Sequence, residues 1–377
     1  MTAVADTFDL LRLIDALAAT GHLSHEGYRA LILHRMAVES ATVAAVGASN
    51  TRSDPLTIPD EVTEALATRA AAVRDNMYGR RVFIRGLIEV SNICKNDCYY
   101  CGIRASNAAC DRYRLEDADI LSAAAEGYAL GFRTFVLQGG EDGHFSDGRL
   151  VPLIRALKSA HPDCAVTLSL GERSRDSYAA LREAGADRYL LRHETATAAH
   201  YARLHPAGMS YERRMQCLSD LRGLGFQVGC GFMVGSPYQT ADDLARDLAF
   251  IEAFKPDMCG IGPFIPHKDT PMGGYSAGSV GLTVFLLSII RLIHPPVLLP
   301  ATTALGTLHP AGRERAILAG ANVVMPNLSP ASVRKKYMLY DNKLSDGAES
   351  AECLDELRHR MAVIGHEVIV ERGDVRK

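Results

Sequence analysis

Ser91-Asn-Ile-Cys94-Lys-Asn-Asp-Cys98-Tyr-Tyr-Cys101-Gly102 follows directly on an apolar run at 82–90. The cysteine spacing is C-x3-C-x2-C. Soft thiolate ligands favour iron–sulfur clusters and zinc. Three thiolates this close can grip three irons of a 4Fe–4S cube. The loop offers no fourth cysteine, so such a cube would keep one iron open to a ligand that is not protein. Zinc is the alternative, and a structural zinc site would want a fourth Cys or His nearby. The next ones are Cys110 and, much further on, His144. The ferredoxin pattern C-x2-C-x2-C does not occur in the loop.

Working outward, short apolar or β-branched runs at 82–90, 134–138, 165–170, 188–192, 227–234, 258–264, 297–303 and 322–325 predict strands. Helical patterns near 116–130, 147–160, 174–184, 210–224, 240–254, 279–293 and 311–319 lie between them. Strict alternation implies a parallel sheet. Eight units in about 250 residues match the size of a closed (β/α)8 TIM barrel; an open, doubly wound sheet is the alternative. Ahead of the barrel, Leu10, Leu11, Leu13, Ile14 and Leu17 repeat at helical spacing up to a stop at Gly21. A loop is expected over 47–59 and a further helix over 59–76. The organisation predicted is therefore an N-terminal helical extension at 1–80, a barrel at 81–340 and a short C-terminal helical tail at 341–377.

Barrel enzymes place their chemistry at the C-terminal ends of the strands. The cysteine loop occupies that position on the first strand, and Gln138-Gly-Gly-Glu-Asp142 on the second. Ser169-Leu-Gly-Glu172, Arg192-His-Glu-Thr195, Gly262-Pro-Phe-Ile-Pro-His267, Thr302-Thr303 and Met325-Pro-Asn327 follow on later strands. Gly139 and Gly140 would let backbone approach a ligand, and with Glu141 they could receive an ammonium group; an ordinary turn is the plainer account. Residues i and i+2 of a strand share a face, so Arg192 and Glu194 would enter the same mouth, as ligand contacts or as a mutual ion pair. His193 would then point away and pack. His193-Glu194 is not the H-E-x-x-H zinc motif, because position 197 is Thr. Arg213 and Arg214 would ordinarily be a solvated pair. Gly229, Gly231 and Gly235 lack the Rossmann spacing and suit close packing or close approach to a ligand.

Composition excludes several classes. The chain has 377 residues, 47% of them hydrophobic, and a net charge of -3. That balance points neither to nucleic acid nor to a membrane surface. No apolar run reaches membrane-span length, and the N-terminus lacks secretory-signal character. Nine cysteines, mostly dispersed, predict a reducing, cytoplasmic setting rather than a disulfide framework.

The loop resembles that of the radical S-adenosylmethionine (SAM) superfamily, in which an aromatic residue such as Tyr100 precedes the last cysteine, and Gly139-Gly140-Glu141 resembles its GGE element. Over roughly 60–340 the chain resembles the HydE family of FeFe-hydrogenase maturases. The resemblance is carried by Ile88-Glu-Val-Ser-Asn92, Val136-Leu-Gln-Gly-Gly-Glu-Asp142, Thr167-Leu-Ser-Leu-Gly-Glu172, Ala184-Gly-Ala-Asp-Arg-Tyr-Leu-Leu-Arg-His-Glu-Thr-Ala196, Gly260-Ile-Gly-Pro-Phe-Ile-Pro-His267, Pro300-Ala-Thr-Thr303 and Gly320-Ala-Asn-Val-Val-Met-Pro-Asn327. Biotin synthase and methylornithine synthase share the loop and barrel but fit these strings less well.

The resemblance implies that Cys94, Cys98 and Cys101 bind one 4Fe–4S cluster and that Tyr100 lies by the adenine of SAM. It implies that Ser169, Glu194 and Arg214 hold SAM, and that Thr167, Arg192, Thr302, Thr303 and Tyr337 line the substrate cavity. Gln138, Met325, Tyr340 and Arg85 are further candidates for the cavity. The implied reaction is reductive cleavage of SAM to a 5′-deoxyadenosyl radical that attacks a small iron complex carrying CO, cyanide and cysteine. Other hydrogenase maturases and an electron donor such as ferredoxin or flavodoxin are the implied partners; a methylornithine-synthase- or biotin-synthase-like reaction on a small organic substrate is the alternative. One departure stands out. Some members carry three cysteines for an accessory cluster near the C-terminus, where this chain keeps only Cys353, with Ser345 and Glu356 in the other places. No second cluster is expected.

Overall fold

In a computed structural model of the chain, residues 6–48, 60–345 and 347–376 are described, with the side chains of 42–48 and 348 left aside. The loop expected over 47–59 thus lies almost wholly outside the described residues. Three helices come first, α1 (Thr7–Thr20), α2 (His25–Ala48) and α3 (Glu61–Tyr78). Gly21 ends α1 in the left-handed region, at φ 69°, as predicted.

The barrel begins with β1 (Arg81–Ile84) and β2 (Gly86–Ser91), the predicted first strand broken at Arg85. There follow α4 (Asp117–Ala129), β3 (Thr134–Gly139), α5 (Asp147–Ala160), β4 (Ala165–Ser169), α6 (Arg175–Glu183) and β5 (Arg188–Leu190). Next come α7 (Ala198–Leu204), α8 (Tyr211–Gly223), β6 (Gln227–Cys230), β7 (Met233–Val234) and α9 (Ala241–Phe254). The series closes with β8 (Met258–Cys259), β9 (Gly262–Pro263), α10 (Val280–Ile293), α11 (Thr303–Leu308), α12 (Gly312–Leu318), β10 (Val323–Val324) and α13 (Ala331–Arg334).

The strands β2-β3-β4-β5-β6-β8 form one parallel sheet in that order. Met258 then bridges to Leu298, Pro300 to Val323, and β10 pairs with β1 while Asn327 bridges to Leu87. The eight positions therefore return to the first strand, which makes the sheet a closed barrel and not a doubly wound one. Leu137 and Phe135 of β3 and Val166 and Leu168 of β4 face the helices in the main apolar core. Intervening residues such as Thr167 face inward. This alternation builds a barrel filled by its own side chains.

Two expectations need correction. The run 297–303 forms no ladder strand: Leu298 and Pro300 make single bridges, and α11 begins directly after Thr302. Proline at 295, 296 and 300 removes backbone donors there. The run 227–234, the fifth predicted strand, breaks at Gly231 into β6 and β7; with φ 152° a Cβ there would stand 2.0 Å from the Gly260 carbonyl oxygen. The glycine series is thus explained by close packing. The tail is also more than helical. After α14 (Leu354–Val363), β11 (Glu367–Ile369) pairs with β1. Arg372 and Asp374 then plug the N-terminal end of the barrel. Arg188, buried, donates to the Arg372 carbonyl (2.9 Å) and pairs with Asp374 (2.6 Å), and Gln227 Nε2 donates to the same carboxylate (2.9 Å).

Candidate active site at the barrel mouth

The cysteine loop crosses the C-terminal end of β2. Its shape is set by backbone capture. Arg112 donates to the carbonyls of Asn92 (2.6 Å), Ile103 (2.8 Å) and Arg104 (2.6 Å), and the Asn92 amide donates to those of Asp111 (2.8 Å) and Lys336 (2.7 Å). A guanidinium with five donors can staple several carbonyls at once. Neither clamp was legible in the sequence, because each acts on backbone whose path only the fold defines.

Cys94, Cys98 and Cys101 are free and half-buried, and each sits within the electrostatic reach of the others. Burial pushes all three thiols up, Cys101 to about 12 and Cys98 well above the ordinary value, and the neighbouring cysteines add to the shift for Cys98. Such thiols would become good ligands only for a centre that brings its own positive charge. Backbone N–H groups already face the sulfurs, Glu141 to Cys94 at 3.4 Å among them. Among the described residues no three Cys, His, Asp or Glu side chains converge on one point as a single ion would require. A cube makes no such demand, since each thiolate takes a different iron. The residues present fit a cluster with one open corner.

Gly140 packs directly under the loop: a Cβ there would come within 2.7 Å of Cys94 Cβ and 2.2 Å of the Ile93 carbonyl oxygen. Gly139 ends β3 beside Ser91. The Glu141 carboxylate already has neighbours in the fold. It accepts from the Glu172 amide (2.9 Å) and pairs with Lys95 (3.2 Å), so it braces two loops.

Strand parity predicted the arrangement at the end of β5. Arg192 and Glu194 do face one another, 3.2 Å apart, yet Arg192 Nε and Nη2 and Glu194 Oε2 are buried without hydrogen-bond partners. Glu194 also sits at φ 66°, a backbone region that non-glycine residues enter at a cost. His193 points the other way, fully buried against Phe250 and Phe232. Its Nδ1 accepts from the Gly231 N–H (3.3 Å), which leaves the proton on Nε2, 3.3 Å from Asp247. Burial lowers its pKa to about 3, so it is a neutral packing histidine.

The Arg213–Arg214 pair is split, and the solvated reading holds only for Arg213. Arg214 is buried on α8, donating to Glu172 Oε1 (2.6 Å) and to the Arg192 carbonyl (2.6 Å). Burial opposes its charge, but Tyr201 and the Glu172 carboxylate offset that and keep it cationic. Tyr100 OH donates to His205 Nε2 (3.3 Å), and that ring stacks on Tyr201 at 3.9 Å. Tyr201, His205 and the pairing of Glu172 with Arg214 escaped sequence reasoning because loop and helix residues carry no parity signal.

Below this layer Thr167 Oγ1 and Thr302 Oγ1 are buried and unpartnered. Ser169 ends β4 opposite Gln138, and Gln138 Nε2 donates to the Tyr337 hydroxyl (3.5 Å). The Thr303 hydroxyl donates to Glu349 (2.8 Å). Arg85 sits at the opposite, N-terminal end, beside Met258 and the Gly373 carbonyl. The mouth thus gathers three soft ligands, a paired but poorly satisfied Arg192–Glu194 couple and a buried cation.

The Radical SAM superfamily model matches residues 88–251. The chain is 42% identical over 302 residues to the [FeFe] hydrogenase maturase subunit HydE of Thermotoga maritima, covering 80% of this chain and 86% of that protein. It is 28% identical to 3-methylornithine synthase of Methanosarcina barkeri, over 76% of this chain and 81% of that one. The crystal structure of methylornithine synthase superposes with a TM-score of 0.76 over 94% of this chain and 97% of that chain, at 24% identity, and shares its fold. With that degree of identity to a maturase along most of its length, and with the cysteine loop seated at the mouth of a closed barrel, the chain belongs to the HydE family within the radical SAM superfamily.

Proposed function

We propose that the chain performs the HydE step of FeFe-hydrogenase maturation, acting on a small iron complex that carries CO, cyanide and cysteine. Cys94, Cys98 and Cys101 would hold the 4Fe–4S cluster of a radical SAM enzyme, and Glu194, Arg214, Ser169 and Tyr100 would hold SAM beside it. When bound, cluster and SAM supply a one-electron cleavage that yields an organic radical. The protein's own contribution is to bind, orient and shield. Arg214, held by Glu172, keeps positive charge beside the loop for a carboxylate. The Glu194 carboxylate can accept ribose hydroxyls, and the Arg192 guanidinium suits an anionic substrate.

What supports this reading is the seating of three free cysteines at the C-terminal end of β2 beside a buried Arg192–Glu194 pair, whose Nη2 and Oε2 meet at 3.2 Å without hydrogen-bond geometry. Buried polar groups are ordinarily satisfied, so a ligand is the economical account of a buried pair left this poorly satisfied beside three free thiols. Transient partners would be other maturases and a low-potential donor such as ferredoxin or flavodoxin, in the cytoplasm. Among the described residues no helix is long and apolar enough to cross a membrane. The test is anaerobic reconstitution, reduction and incubation with SAM, with 5′-deoxyadenosine measured with and without the iron precursor. Stimulation by the precursor supports the proposal. Stimulation only by a small amino acid would favour a reaction of the methylornithine-synthase kind.

A further inference from the structure

Glu89 is fully buried near the top of β2, yet nothing above assigns it a task. It lies at an inward-facing register, two residues beyond Leu87 and level with Gln138 on β3. Its Oε2 accepts from Asn327 Nδ2 (2.8 Å) and its Oε1 from Lys343 Nζ (2.7 Å). Lys343 comes from beyond the last barrel strand, its side chain only 7% exposed. Its ammonium also stands 5.2 Å from the centre of the Tyr337 ring. A buried ion pair is weak evidence for stability, because desolvation of both charges roughly cancels their attraction. A pair brought together across 254 residues calls for another reason.

The segment that carries Lys343 crosses the barrel mouth as a strap. Its Lys336 carbonyl accepts from Asn92 (2.7 Å) and its Leu339 carbonyl from the Gly102 N–H (2.8 Å), so it grips both flanks of the cysteine loop. Asp341 N–H donates to the Pro266 carbonyl (3.0 Å), while its carboxylate accepts from the Lys268 N–H (2.9 Å). The backbone contacts fix the strap against the loops. The Lys343–Glu89 pair is a side-chain tie from the strap into the barrel interior.

We propose that Glu89 and Lys343 are positioning residues: their ion pair latches the 336–345 strap over the cavity, setting Tyr337 against the substrate space and sealing the side of the mouth next to the cysteine loop. The proposal rests on the maturase reading only for its coupling readout. The latch itself is a property of the fold and is tested without substrate.

The test compares wild type with Lys343→Met, Lys343→Arg and the double variant Glu89→Gln/Lys343→Met by amide hydrogen exchange, SAM affinity and hydrogenase activation per SAM consumed. Lys343→Met is expected to speed exchange across 336–345 at least tenfold, to leave SAM affinity within about twofold, and to lower activation per SAM consumed. Lys343→Arg should restore both exchange and coupling. If Lys343→Met does not fold, the double variant removes the unpaired buried charge and should fold with a loosened strap. Unchanged exchange in the double variant would overturn the latch, as would Lys343→Met losing SAM affinity in step with coupling. Fast exchange with normal coupling would overturn the positioning role. If no variant, wild type included, activates hydrogenase while the exchange pattern holds, the maturase reading fails and the latch stands.

Discussion

Glu194 shows what a single residue contributes. Its carboxylate is buried, its backbone is held at φ 66°, and its Oε2 meets Arg192 Nη2 at 3.2 Å without hydrogen-bond geometry. Replacing it with Ala is expected to weaken SAM binding by about 1.5–3 kcal/mol, the usual worth of a hydrogen bond to a charged group. That corresponds to roughly ten- to hundredfold in Kd. Arg192→Ala is expected to leave SAM affinity nearly intact while impairing maturation. Calorimetric titration of the reconstituted variants separates the two, and equal SAM affinity in wild type and Glu194→Ala would remove the assignment. The cysteines give a cleaner readout. Each of Cys94→Ala, Cys98→Ala and Cys101→Ala should lose the cluster's visible absorption together with SAM cleavage; a variant that keeps both excludes that cysteine. Cysteine spacing and strand parity made these residues legible, including the outward turn of His193. The pairing of Glu172 and the Arg112 clamp were not legible, because the partners are a helix residue and backbone carbonyls far away in sequence.

Among the elements, the strands with strong β-branched or apolar runs, such as β3 and β4, stand within a residue or so of the sequence expectation. The failures have local causes. Prolines near 297–303 leave single bridges in place of a ladder, and Gly231 lets two strands touch so closely that pairing is interrupted. β11 was missed because a three-residue strand gains its stability from its partner and not from its own composition. That partnership brings Asp374 to Arg188, a cation only 4% exposed. Asp374→Ala should therefore destabilise the protein by about 2–3 kcal/mol, since a buried charge loses its counter-ion. Chemical denaturation would register this as a lower midpoint at unchanged slope, and an unchanged midpoint would show that the plug carries no energy.

The molecule as a whole encloses several histidines in apolar surroundings. Burial lowers His193 and His205 to about 3 and His294 to about 4, and depresses His200 and His366 as well. The unfolded chain takes protons at these rings near pH 6.5 and the folded one refuses them. Their contribution to stability is thus complete above 6.5 and is lost as pH falls toward the folded values. Asp247, raised by burial, works in the opposite direction but is one group against five. A tenfold difference in proton affinity between the folded and unfolded chain is worth roughly 1.4 kcal/mol per ring. The metal-free protein should therefore melt at clearly lower temperature at pH 5 than at pH 7, and a flat profile would mean that these rings admit water or protons.

At the same scale, the proposed maturation chemistry would run through an open cluster at Cys94, Cys98 and Cys101. The most direct measurement is activation of apo-FeFe-hydrogenase in a defined mixture of the other maturases, SAM and reductant, with this chain as the sole added protein of its kind. Hydrogen evolution is expected to require SAM and to disappear with Cys98→Ala. No hydrogen evolution, from a protein that still cleaves SAM and turns over a small organic acid, would contradict the proposal.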